Sequence, residues 1–203
     1  MINKISLVGT VLNLRPDHTT KSGQNIYRIE LSCKRLSGTE DFININIWDN
    51  LLVGKCINVG DRVHIEGSIK TYTWGNHTIV IVQAKSISKT NIPEQDYNVS
   101  TVQGIVSKPV IFRQTPLNKR ILEVILDTTT RNDDLSGIPC IMWGGLAYKF
   151  KGLQIGTVIT VEGRLQSREY QKQVDENTTI KKLTTEFSIT KCRLNYEADT
   201  NKD

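Results

Sequence analysis

Two stretches of this chain place cations and aromatic rings at alternate residues. In RVHIEGSIKTYTW, Val63, Ile65 and Ile69 make an apolar side, leaving Lys70, Tyr72 and Trp74 on the other. In TVITVEGRLQSREYQ the same register gives Arg164, Gln166, Arg168 and Tyr170, with Lys172 continuing it. A cation neutralises a phosphate, and an aromatic face stacks on a base for about 1–3 kcal/mol. A ribbon alternating the two suits a nucleic-acid backbone running beside its bases. A plain solvated strand face is the competing explanation. The recurrence of the pattern in two places argues for the ligand.

FININIW adds a second feature. Ile43, Ile45 and Ile47 share one side, and Phe42, Asn44, Asn46 and Trp48 share the other. A half-exposed face of aromatics and amides is a stacking platform for bases. A tryptophan at the end of a strand could equally cover a barrel core.

The elements carrying these residues occur twice. Glu66-Gly67 returns as Glu162-Gly163, Gly9 as Gly104, Trp48 as Trp143 and Gly60 as Gly156, at offsets of 95 or 96 residues. A near-constant offset with one insertion marks a duplicated domain. Each copy reads as five strands with a short helix between the third and fourth. That is the order of the OB-fold, a five-stranded Greek-key barrel. The expected architecture is therefore all-β: two tandem OB-fold barrels at 1–90 and 98–195, a linker at 91–97 and a short acidic tail at 196–203. Glycines in strands one and four permit the coiling that closes such a barrel. The fourth-to-fifth turn is tight at WGNH, but long and polar at QKQVDENTTIKK, which suits a hairpin tip or a clamp.

Charge supports a polyanion partner. Residues 1–93 hold 11 Lys and Arg against 7 Asp and Glu, and residues 98–194 hold 14 against 9, so each copy is basic by itself. No phosphate-binding glycine loop, nucleophile elbow or zinc-protease motif is present, so no enzyme, cofactor or metal is expected. Cys33, Cys56, Cys140 and Cys192 form no C-x-x-C pair and read as reduced thiols at packed or strand positions. No apolar run reaches membrane-spanning length, and MINKISLVGTVLNL alternates rather than forming a secretory signal. A cytoplasmic location is expected.

TVITVEGRLQSREYQ followed by LTTEF, together with IMWGGLAYKFKGLQIGT, resembles the bacterial single-stranded DNA-binding protein family. The resemblance covers nearly all of residues 98–194 and, more weakly, residues 2–88. It implies that Trp48 and Trp74 in the first copy, and Trp143 and Tyr170 in the second, stack on bases. Phe42 matches a further stacking position, whose counterpart in the second copy is Gly137. Arg164 and Arg168 match the family's strand-four arginines, where the first copy has Ser68 and Tyr72. Typical members carry one barrel per chain and assemble four, so two barrels imply a homodimer. Typical members also end in an acidic tip closing on Pro-Phe that recruits replication enzymes. The ending NYEADTNKD has no such tip, and a specialised phage, plasmid or conjugative member is expected.

Single-stranded DNA is thus the expected partner, bound with little sequence preference. Two alternatives remain open at this level. One is an RNA-binding or primosome-accessory OB protein. The other is a protein-binding adaptor with one degenerate repeat.

Overall fold

The computed structural model describes residues 1–75, 77–91, 95–115, 118–128, 137–173 and 179–195. The first repeat contributes β1 (Asn3–Thr19), β2 (Asn25–Lys34), β3 (Glu40–Trp48), β4 (Arg62–Trp74) and β5 (His77–Lys89). The second contributes β6 (Tyr97–Val106), β7 (Ile111–Gln114), β8 (Arg120–Asp127), β9 (Ile138–Trp143), α1 (Gly144–Phe150), β10 (Val158–Gln173) and β11 (Thr179–Leu194). Tyr97, read as the last linker residue, is the first residue of β6.

The period-two patterns become barrel interiors. Ile43, Ile45 and Ile47 are fully buried, as are Val63 and Ile65 on β4 and Val161 and Leu165 on β10. One sheet runs β2-β3-β5-β4-β1-β6-β10-β11-β9-β8-β7. Pairing of β1 with β2 closes the first barrel, and pairing of β6 with β8 closes the second. In both, strands three and five pair in parallel, β3 with β5 and β9 with β11. These are two OB-fold barrels.

Four strand glycines serve this closure by leaving out a side chain. Register shifts fall at Glu66/Gly67 on β4 and at Glu162/Gly163 on β10. A Cβ on Gly163 would lie 2.2 Å from the Ser188 carbonyl oxygen, and one on Gly67 2.5 Å from that of Gln83. Gly9 and Gly104 are as crowded by the carbonyls of Ser32 and Asp127. Only glycine lets the neighbouring backbone come this close.

The helix expected in both repeats forms only in the second. Between β3 and β4 the chain makes a single 3-10 turn at Asp49–Leu51. Gly54 (φ 73°) and Cys56 (φ 47°) then break any helical continuation. In the second repeat the positive φ falls at Gly144 (59°), the first residue of α1, and none follows up to Phe150, so α1 completes its turns and buries Ala147 and Phe150. The second repeat also splits its first strand. Its counterpart β1 runs 17 residues without a break, whereas β6 and β7 are separated around Pro109, which has no N–H for a ladder. The polar stretch after Tyr170 is mostly strand, because the β10–β11 ladder continues to Gln173 opposite Thr179. In the first repeat Trp74 opposes His77, and Gly75 at φ 57° begins the tight turn.

The repeats join along β1 and β6, antiparallel, from Asn3 opposite Val102 to Val8 opposite Tyr97. Ile5 faces Ser100, its own counterpart 95 positions later, so a local two-fold axis passes through that pair. A side-chain device is shared across it. Beyond the point where β1 leaves β4, the Asn3 amide bonds both the N–H and the carbonyl of Ile69, each at 2.8 Å. The Asn98 amide does the same to Leu165 on β10, at 3.1 and 2.7 Å.

Candidate nucleic-acid interface

The outward faces of the barrels hold the alternating residues. On β3, Phe42, Asn44 and Trp48 are half-buried and Asn46 is buried. Trp48 ends the strand opposite Ile26. On β4, Lys70 is exposed and Tyr72 half-buried, while Ile69 and Thr71 between and beside them are buried. Trp74 occupies the next outward register position. The side chains of Trp74, Tyr170 and Lys172 lie outside the described residues.

The second repeat gathers its groups more sharply. Trp143 ends β9 on the outward face and is 39% exposed. A groove of about 220 Å³ joins it to Ile141, Arg168, Glu186, Arg113 and Gln114. Glu186 organises this floor. It accepts from Gln166 Nε2 at 2.8 Å and from Arg168 Nε at 3.2 Å. That ion pair is largely exposed on the arginine side, so the guanidinium can turn to a phosphate at small cost. Arg113, from β7, pairs with Glu123 on the opposite wall. Arg113 and Gln114 do not stand out in the sequence, because β7 has only four residues and no apolar alternation. Only the pairing of β7 with β8 brings them beside Trp143.

The structure separates Arg164 from Arg168. Arg164 opens into a different cavity, of about 530 Å³, between the β2–β3 hairpin and β6, with Lys34, Arg35, Asp96 and Tyr97. Its Nε is buried without a hydrogen-bond partner among the described residues. Phe42 lies at the same seam, its N–H donating to Ser167 Oγ at 2.9 Å. Beside it, buried Asp41 accepts from the Ser167 N–H at 2.9 Å and from Arg35 Nε at 2.7 Å. The Asp41 hydrogen bond holds the Arg35 guanidinium above its ordinary pKa.

A Ser–His–Glu cluster sits on the β1–β4 face, with Ser6 Oγ donating to Glu66 at 2.6 Å. His64 presents the same Nε2 to both partners, at 3.0 Å from Ser6 and 2.8 Å from Glu66. Among the described residues no third group orients the imidazole as a base toward the serine, so they form no nucleophile relay. Among the described residues no cluster of histidine, cysteine or carboxylate groups could hold a metal. Nor is any helix among them long and apolar enough to cross a membrane. Cys33 and Cys140 are buried, and burial pushes both thiols far above the usual range. Cys56, expected to be packed or in a strand, is instead exposed and outside any strand.

Comparison with known proteins agrees with the two-barrel fold. The profile described as the single-strand binding protein family matches residues 2–92 and 97–190. The wild-type single-stranded DNA binding protein of Thermus aquaticus superposes with a TM-score of 0.76 at 19% identity, covering 100% of this chain and 97% of that one. A deletion mutant of the same protein gives 0.75 at 19% identity, over 100% and 98%. The N-terminal domain of PriB from Thermoanaerobacter tencongensis is 35% identical over 45% of this chain and 98% of its own, with a TM-score of 0.40. No curated protein matches this sequence.

Proposed function

This chain belongs to the single-strand binding protein family, and from that premise we propose that it binds single-stranded DNA without sequence preference and without catalysing a reaction. The observation that carries the reading is the groove in which exposed Trp143 and Arg168 share one wall. A base can lie against the indole while the guanidinium takes the adjoining phosphate. Lys70, Tyr72, Trp74 and Trp48 form the matching track on the first repeat. Tyr170 and Lys172 extend the second along the β10–β11 arm. Phe42 and Arg164 contribute at the seam between repeats. Its place is the cytoplasm, in replication, recombination or transfer of a mobile element.

Two chains would present four barrels, and a homodimer of twice 22.9 kDa is the proposed assembly. Light scattering gives that mass directly. Function is tested by titrating the protein with oligo-dT while following tryptophan fluorescence at two salt concentrations. Quenching that weakens with salt is the expected result, because neutralised phosphates release counterions. Absence of binding at low salt overturns the proposal. An oligo-U competitor that displaces DNA at equal concentration would make RNA an equal ligand.

A further inference from the structure

On the other side of the β7–β8 hairpin from the Trp143 groove lies a second cluster of rings and cations. Phe112 and Tyr148 meet edge to face, with ring centroids 6.5 Å apart. The Arg120 guanidinium stands 5.1 Å from the centre of the Tyr148 ring, and Lys151 Nζ stands 4.1 Å from it. Phe112 is 40% exposed and Tyr148 50%. Neither cation has a carboxylate partner among the described residues. No Asp or Glu occurs from Ile138 to Val161, the stretch that carries Tyr148 and Lys151. A cluster that only glued the hairpin to α1 would not need two unneutralised cations held over an exposed ring.

Among the described residues the first repeat has nothing comparable. The counterparts of Arg120, Tyr148 and Lys151, 95 positions earlier, are Asn25, Val53 and Cys56. By strand register the counterpart of Phe112, which opposes Leu122, is Pro16, which opposes Tyr27. The cluster depends on α1, which the first repeat does not form.

The cluster also adjoins the proposed track. Trp143 is the residue immediately before α1, and it opposes Ile121, the neighbour of Arg120. We infer that the Arg120–Lys151–Tyr148–Phe112 cluster is a further phosphate-and-base seat for single-stranded DNA leaving the Trp143 groove, so that the second repeat binds a longer stretch than the first. This rests on the DNA-binding reading above. Cation–π contact with Tyr148 holds the two charges in place, they neutralise two phosphates, and the free ring surface of Phe112 and Tyr148 receives a base.

The test compares the full chain with its Arg120→Gln/Lys151→Gln variant for oligo-dT binding across a salt series. Both side chains are exposed, and equal melting temperatures confirm that the variant folds. The slope of log affinity against log salt is expected to flatten by about 1.4, from two phosphates at about 0.7 each. A second measurement needs no variant. Acetylation of Lys151 in the unmodified protein, read by mass spectrometry, is expected to fall several-fold when oligo-dT saturates it. An unchanged slope, or Lys151 equally reactive with DNA bound, overturns the inference while leaving DNA binding intact. In that case the cluster is a protein-docking or purely structural surface. Failure of the unmodified chain to bind oligo-dT at any salt overturns the function itself, and this seat with it.

Discussion

Trp143 and Trp48 occupy equivalent strand ends but different surroundings. Trp143 faces a groove with Arg168 and Arg113, whereas Trp48 is half-buried opposite Ile26. Stacking by both predicts that Trp48→Ala and Trp143→Ala each weaken oligo-dT binding by about 1–3 kcal/mol, read by fluorescence anisotropy. An adaptor with one degenerate repeat would lose affinity at one position only. The cysteines allow a separate check on burial. Only the thiolate is nucleophilic. Desolvation pushes Cys192 up to about 11 and Cys33 and Cys140 higher still. Exposed Cys56 is therefore expected to react first with an alkylating reagent at neutral pH, half-buried Cys192 more slowly, and Cys33 and Cys140 only on unfolding. Rapid loss of the Cys33 thiol in the native protein would contradict the packing around it.

At the scale of elements, the barrels depend on two local devices. The Asn98 amide replaces a missing strand partner at Leu165. Asn98→Ala leaves that N–H and carbonyl unpaired and is expected to cost about 1–3 kcal/mol, measured by urea denaturation. Gly163→Ala drives a methyl group against the Ser188 carbonyl, so β10 or β11 must shift. A loss of about 1–3 kcal/mol is expected from the overpacking. A neutral result would mean the bulge relaxes freely. The glycines and the strand alternation were legible in the sequence, because period two and a missing Cβ are local properties. The failed helix after β3 was half legible. Gly54 is visible in the sequence, but the left-handed turn at Cys56 emerges only in the folded chain.

At the scale of the molecule, β1 against β6 and Asp41 against Ser167 make one body of two repeats. Asp41 is 1% exposed and accepts hydrogen bonds from both Arg35 and the Ser167 backbone. Asp41→Ala strands those donors, and a loss of about 1.5–3 kcal/mol is expected for a charged hydrogen bond. Hydrogen exchange at Ser167 is the specific readout. Faster exchange there, with the β4–β5 ladder unchanged, locates the effect at the seam. Unchanged exchange at Ser167 would mean that the seam is held by β1–β6 pairing alone.

The duplicated strand pattern, the 95-residue offset and the paired aromatics determined the all-β class, the two barrels and the candidate ligand from sequence alone. The alternation and the paired aromatics are each written within about a dozen neighbouring residues, and the offset is read by laying two such stretches side by side. Tertiary structure decided which of the candidate residues share a groove. Arg164 and Arg168 stand four residues apart on one strand yet open into separate cavities, Arg164 beside the β2–β3 hairpin and the start of β6, Arg168 beside β7, β8 and the end of β9. Arg113 and the Phe112–Tyr148 cluster came into view only when β7 paired with β8 and α1 packed beside them. Such contacts join residues far apart in the chain, and no local period records them.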